Sequence, residues 1–169
     1  MSSESDSAPA GFGAPTTSGP KPLLSYQNAM NRLIRGLLRT PLISRGIGSR
    51  LLTFSIVGRK SGKTYVIPVA YTRHEDSLLV GTVARKWLRN LTPGEPVEVR
   101  VRGKKRLADQ VVFTDEANVM RLFDVIARDN RTNASFNGIG FDPDGSPNRA
   151  DLHQAWQQGG AVIELRLRD

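Results

Sequence analysis

The sequence predicts a mainly β fold of the α+β class, a small antiparallel barrel with peripheral helices, and three observations lead there. After Arg50, six runs of residues follow a strand-like period. One amphipathic helical stripe precedes them and two helical segments interrupt them. A chain of 169 residues is the length of one domain with a single core.

Residues 1–22 are dominated by Ser, Pro, Gly, Ala and Thr, with Met1 and Phe12 as the only large apolar groups. Such a stretch buries too little apolar surface to offset the entropy of ordering it, so it reads as a disordered N-terminal tail that adds nothing to stability. Residues 23–169 read as a single domain that opens with an amphipathic helix. From Ser25 to about Arg39, Tyr26, Met30, Leu33, Ile34, Leu37 and Leu38 recur at helical spacing, while Arg32, Arg35 and Arg39 fall mostly off that stripe. Ser25 suits the N-cap and Pro41 a stop signal. The stripe can pack on the barrel or lie on an anionic membrane surface, which makes residues 25–39 the candidate for peripheral membrane contact.

The strands expected next are Leu51 to Val57, Tyr65 to Thr72, Ser77 to Val83, Pro96 to Arg102, Lys105 to Phe113 and Ala161 to Arg168. Val97, Val99 and Val101 alternate with Glu98, Arg100 and Arg102, and Gly103 provides the turn into the following strand. Ala161, Ile163, Leu165 and Leu167 alternate with Val162, Glu164, Arg166 and Arg168, which turns one side of the last strand to the core. A helix is expected from about Asp115 to Arg128, capped by Thr114. A shorter one has Ser146 as cap, Pro147 at its first position and Gly159 as its stop.

With no cysteine the chain has no disulfide framework, thiol nucleophile or thiolate metal site, and its two histidines, His74 and His153, lie far apart in sequence. Redox chemistry would therefore be borrowed from a cofactor. No secretory signal and no apolar run of about 18 residues is present, so a cytoplasmic location is expected. The formal net charge is +8, which favours an anionic partner. Since residues 1–22 hold only Glu4, Asp6 and Lys21, that surplus belongs to the domain. Asp142-Pro143-Asp144-Gly145 lacks the distal Glu of a calcium loop and reads as a β-turn; no metal is assigned.

The most informative segment is Gly58-Arg59-Lys60-Ser61-Gly62-Lys63, set between two strands. Its glycines allow a tight connection with outward amides, and its three cations add donors, so it suits a phosphate or carboxylate; a solvated basic hairpin turn has the same composition. Gly58 and Gly62 are too close for a P-loop. Pro68 removes a ladder donor and belongs at an edge or bulge. Downstream, Gly81-Thr82-Val83-Ala84-Arg85-Lys86-Trp87-Leu88-Arg89-Asn90-Leu91 leaves a strand and enters a short helical stretch, with Trp87 and Asn90 at a three-residue spacing on one face. Trp87 can be core or can wall a ring system.

In this order the motifs resemble the deazaflavin (coenzyme F-420)-dependent nitroreductase and quinone reductase family of flavin-binding split β-barrels. The resemblance rests on the Leu- and Arg-rich N-terminal helix, the Leu-Leu-Thr strand ending in Gly58 to Lys63, Pro68, and Trp87 with Asn90-Leu91. It spans about residues 26–113. It implies an antiparallel split β-barrel of the FMN-binding type. It also implies an oxidoreductase that passes hydride from reduced coenzyme F-420, an 8-hydroxy-5-deazaflavin, to a small organic acceptor such as a quinone, nitro compound or activated enone. Carried onto this chain, the coenzyme contacts fall on Arg59, Lys60, Ser61, Gly62, Lys63, Val66, Ile67, Pro68, Thr82, Val83, Lys86, Trp87 and Asn90. Thr82, Arg85 and Lys86 are reachable donors for charge developing on the acceptor; no side chain is singled out as catalytic. Tyr26 and Tyr71 are the candidates for the acceptor site, with Phe136 and Phe141 as further unassigned aromatics. Two departures stand out: family members often carry an arginine where this chain has Tyr65 or Val66, and many have a longer glycine-containing loop where it has Ala84-Arg85-Lys86.

Rival readings share the barrel. FMN can replace the deazaflavin as cofactor, or the chain can be an FMN-, FAD- or lipid-binding relative without turnover. A nucleic-acid-binding barrel would use Arg100, Arg102, Lys104, Lys105 and Arg106, but that hairpin has no aromatic residue to stack on bases, so no nucleic acid partner is expected. The sequence leaves the oligomeric state open, a homodimer included.

Overall fold

The computed structural model describes residues 11–20, 50–83 and 86–169. The helix expected over Ser25 to Arg39, Tyr26 within it, and Arg85 lie outside the described residues. Seven strands form one antiparallel sheet: β1 (Leu51–Val57), β2 (Thr64–Ala70), β3 (Thr72–His74), β4 (Ser77–Thr82), β5 (Val97–Val101), β6 (Lys104–Phe113) and β7 (Ala161–Leu167). Their order is β2-β1-β5-β6-β7-β4-β3. The fold is the antiparallel, split-barrel-like one that the sequence implied, with the curled sheet forming a half-barrel.

One expected strand, Tyr65 to Thr72, divides at Tyr71. Its first part pairs with β1 and its last with β4, so the two edge strands of the sheet are consecutive in the chain. Tyr71 is 2% exposed, and its backbone N–H donates to the Arg50 carbonyl at 2.8 Å. Apolar burial on the inside of the curl fixes the bend here, an effect that local alternation does not report. Inside lie Leu52, Phe54, Ile56, Val69, Val80, Val97, Val99, Val101, Ile163 and Leu165. The β5–β6 connection is the two-residue turn Arg102-Gly103, both residues at positive φ, as a primed hairpin turn requires. Gln110 points inward, yet it is satisfied by the carbonyls of Thr92 (2.8 Å) and Glu95 (3.3 Å), which holds the loop entering β5.

Helices α1 (Glu116–Asp129), α2 (Arg131–Phe136) and α3 (Arg149–Gln157) cover the other face of β4 and β7. The covering side chains are Val119, Leu122, Phe123 and Ile126 of α1 with Leu152 and Ala155 of α3, packed on Leu79 and Val162. Val162 is thus buried although it alternates with the inward residues, so β7 is covered on both sides at its start. Phe123 fits because Gly81 and Gly160 lack side chains: a Cβ there would lie 2.7 and 2.9 Å from its ring.

Both helix caps differ from expectation by one or two residues. Asp115, not Thr114, caps α1, its carboxylate accepting the Asn118 N–H at 3.0 Å, while the Thr114 carbonyl accepts from Trp156 Nε1. Asn148, not Ser146, caps α3 through the Asp151 N–H at 3.0 Å; Ser146 instead bonds Asp144 within the Asp142–Ser146 turn. In each case the residue adjacent to the helix with the better placed acceptor wins. α2 has no apolar period that could announce it; Asn130 caps its start by accepting the Asn133 N–H at 3.0 Å. Among the described residues no helix is long and apolar enough to cross a membrane.

Residues 11–20, assigned by composition to the disordered tail, lie against α3. The fully buried Asp151 carboxylate accepts the N–H groups of Thr16 (2.8 Å), Thr17 (3.1 Å) and Gly140 (2.9 Å) and the Thr16 hydroxyl. Phe12 stacks on His153 at 5.0 Å, and Gly138 leaves room for Gly19, whose carbonyl carbon would sit 2.2 Å from a Cβ there. Hydrogen bonds to one buried charge replace the apolar area that the segment lacks. Asp151→Ala leaves three part-buried amides without their acceptor; it is expected to cost on the order of 3 kcal/mol and to expose residues 11–20 to proteolysis. An unchanged melting temperature and cleavage pattern would count against this clasp.

Several exposed carboxylates titrate below their usual range: Asp115 through the Asn118 backbone N–H, Asp109 through Arg168, Asp144 through the Ser146 hydroxyl, and Glu98 through Lys105 and then Ser55. A depressed folded-state pKa contributes stability that is present above the unfolded value, near pH 4, and is lost as pH falls through the folded one. The thermal midpoint should therefore drop between about pH 5 and pH 3. Asp115→Asn keeps the capping acceptor without titrating and should flatten that dependence; calorimetry across the range checks both.

Candidate functional site

The basic segment is the tip of the β1–β2 hairpin, and its shape is held by its own backbone. Gly58 N–H donates to the Lys63 carbonyl and Gly62 N–H to the Gly58 carbonyl, each at 2.8 Å. Gly62 takes φ +66°, a conformation that favours glycine. The Ser61 hydroxyl accepts the Lys63 N–H at 3.3 Å and pairs with the Tyr65 hydroxyl at 3.1 Å. Arg59 N–H donates to Asn90 Oδ1 at 3.1 Å. Four of the six amides expected to face outward are thus used internally. Those of Lys60 and Ser61 have no partner among the described residues and are available to an anion. The side chains of Arg59, Lys60 and Lys63 are in exposed residues and form no ion pair among the described residues.

Opposite the tip, Trp87–Asn90 is a single 3-10 turn. Residues three apart nearly eclipse in that helix type, which sets Trp87 and Asn90 on one side, as their spacing suggested. Trp87 packs on the fully buried Phe54 with ring centroids 5.2 Å apart and planes at 49°. Asn90 Nδ2 donates to the Trp87 carbonyl at 3.3 Å.

Between tip and turn opens a cleft of about 880 Å³. Of the residues expected to contact a coenzyme, Arg59, Lys60, Ser61, Val66, Ile67, Lys86, Trp87 and Asn90 line it. Gly62 and Lys63 complete the turn without lining the cleft. Pro68 stands opposite Thr53 in the edge strand β2, and Thr82 ends β4 opposite Ala161, with Val83 just beyond. Tyr71, a candidate for the acceptor site, is packed in the barrel core. Phe136 ends α2 and Phe141 packs against the helical cluster, where Arg131 lies 4.1 Å from its ring centre; neither lines the cleft. Ile56, Gly58, Tyr65 and Arg89 line it although the sequence reading left them out. Alternation back from Val69 sets Ile67 and Tyr65 on its side of β2, a signal available for Tyr65.

Chemically, the cleft pairs an anion seat made of the tip amides and the cations Arg59 and Lys60, with Lys63 beside them on the turn, with a wall of Trp87, Ile56 and Ile67 suited to a planar ring. That donor set fits a ring compound with an acidic tail.

The model of the F420H(2)-dependent quinone reductase family matches residues 28–136. No curated protein matches the chain. Among solved structures, the chain is similar to a candidate 5-nitroimidazole antibiotic resistance protein from Bacteroides thetaiotaomicron, at 10% identity, with a TM-score of 0.47 over 78% of this chain and 81% of that one. It is also similar to a domain-swapped dimer, at 12% identity, with a TM-score of 0.45 over 85% of this chain and 99% of that one.

The tip should be intolerant of a side chain at Gly58, where a Cβ would lie 2.6 Å from Ser61 Oγ and 2.8 Å from the Tyr65 ring. Gly58→Ala is expected to break the Ser61–Tyr65 pairing and to cost about 1 to 3 kcal/mol, the range for overpacking. Faster hydrogen exchange at the tip amides and a lower melting temperature are the readouts.

Proposed function

The chain belongs to the F420H(2)-dependent quinone reductase family and is an oxidoreductase whose cofactor is coenzyme F-420; from this premise we propose that the cleft seats that coenzyme with its acidic tail on the hairpin tip and that a quinone is the acceptor. The observation that carries the reading is the pair of amides, Lys60 and Ser61, that have no partner among the described residues and lie within the cations Arg59, Lys60 and Lys63. Close charge pairs of this kind contribute roughly 1 kcal/mol to a few each, reduced by salt, which is enough to orient an anionic tail. Trp87, Ile56 and Ile67 would hold the ring, and the Phe54 contact keeps the Trp87 wall in place.

Bound there, coenzyme F-420 supplies a hydride, and the chain supplies orientation and electrostatics. Val66, exposed on β2, and Trp87 would be covered by the bound ring and shield its side from water. Lys86, exposed on the cleft, is the cation proposed to stabilise negative charge developing on an acceptor oxygen. Nitro compounds and activated enones make the same demand as a quinone, a planar electrophile within near-attack distance, and belong to the proposed acceptor class.

Titration with coenzyme F-420, FMN, FAD and heparin tests the reading. The deazaflavin should bind most tightly. Arg59→Ala with Lys60→Ala should raise its Kd by about tenfold or more and lessen the salt dependence of what remains, since two charges facing the tail are gone. An unchanged Kd would remove the tip from the site, and heparin binding without deazaflavin binding would remove the enzyme reading.

A further inference from the structure

Asn90 has both ends of its carboxamide committed, and the two commitments join parts of the chain that no strand pairing joins. Oδ1 accepts the Arg59 N–H at 3.1 Å across 31 residues, and Nδ2 donates to the Trp87 carbonyl at 3.3 Å. The remaining hydrogen bonds of the hairpin tip run within residues 58–65, so they set its shape and not its placement. Among the described residues, the Asn90 bond is the only hydrogen bond between the tip and the Trp87–Asn90 turn. That turn is itself fixed to the barrel core where Trp87 meets Phe54. A chain of contacts thus runs from Phe54 through Trp87 and Asn90 to the peptide of Arg59, next to the two amides left open to an anion.

We infer that Asn90 is a positioning residue for the acidic tail: it sets the distance between the seat of the tail at Lys60 and Ser61 and the ring wall at Trp87, acting through the Arg59 amide and not through contact with the ring. The inference rests on the coenzyme reading above and deepens it. A rigid tie matters because a ligand that touches both seats loses affinity when one of them is free to move, whereas a ligand touching only the wall does not.

Two probes separate the possibilities: coenzyme F-420 itself, and its chromophore lacking the phosphate and acidic tail, each followed by fluorescence with wild-type protein and Asn90→Ala. The variant should bind coenzyme F-420 about five- to tenfold more weakly, the scale of one lost hydrogen bond, and the tail-less chromophore within about twofold of wild type. Equal losses for both probes would mean that Asn90 touches the ring, and no loss for either would mean that it positions nothing; both overturn the inference. Failure of the coenzyme reading looks different: wild-type protein would then show no preference for coenzyme F-420 over the tail-less chromophore. A measurement without ligand covers the case in which Asn90→Ala folds poorly. Asn90→Asp retains the acceptor, so the Arg59 amide should exchange with solvent as slowly as in wild type; an Asp variant whose Arg59 amide exchanges freely would overturn the inference as well.

Discussion

The run from Thr64 to His74 serves both edges of the sheet, and the rest of the molecule depends on that. Its first part pairs with β1 and its last with β4, and the buried Tyr71 between them turns the chain across the inside of the curl. Because β1 pairs with both β2 and β5, the residues Leu52, Phe54 and Ile56 point into a shared interior, and the β1–β2 connection projects from one end of the half-barrel. Asp129 reinforces the region of the bend at Tyr71: its carboxylate accepts from Thr72 and Arg50, and its carbonyl accepts from Arg50 as well, which ties the end of α1 to β3 and to the start of β1.

At the other end of the hairpin, the site is a consequence of core packing carried outward. Phe54 is a core residue, yet the indole that lies on it belongs to the cleft, so the ring wall is as rigid as the barrel beneath it. The tip gains definition by using three of its amides on itself and a fourth on Asn90. What it offers outward is a narrow seat of two N–H groups with long cationic side chains around it. Specific geometry comes from the amides, and long-range attraction from the side chains.

Among the described residues, two clusters of cations stand apart. Arg100, Arg102, Lys104, Lys105 and Arg106 gather around the Arg102-Gly103 turn, and the register that sets Leu52 opposite Val101 puts this turn at the end of β1 away from the tip. Only Lys105 of that group has an ion-pair partner among the described residues, Glu98 at 3.2 Å. Overall charge thus describes the solubility and field of the molecule, while position distinguishes the cations beside the cleft from those far from it.

Alternation, turn composition and motif order were enough to determine the strands of the barrel, the helix after β6 and the hairpin tip with its cations, because each of these follows from the periodicity or the dihedral freedom of neighbouring residues. The chain by itself also determined the pairing of Trp87 with Asn90, since three-residue spacing on a short helical turn admits one arrangement. Tertiary structure decided the division of the strand at Tyr71, the burial of Val162 and Tyr71, and the covering of β4 by Phe123 between two glycines. It also decided the docking of residues 11–20, whose composition lacks apolar area but whose amides meet a buried carboxylate more than a hundred residues away. Likewise, which amides of the tip remain open depends on Asn90, the Ser61 hydroxyl and the carbonyls within the turn. A sequence specifies which groups can form hydrogen bonds; which of them are left over is known only after the fold has paired the rest.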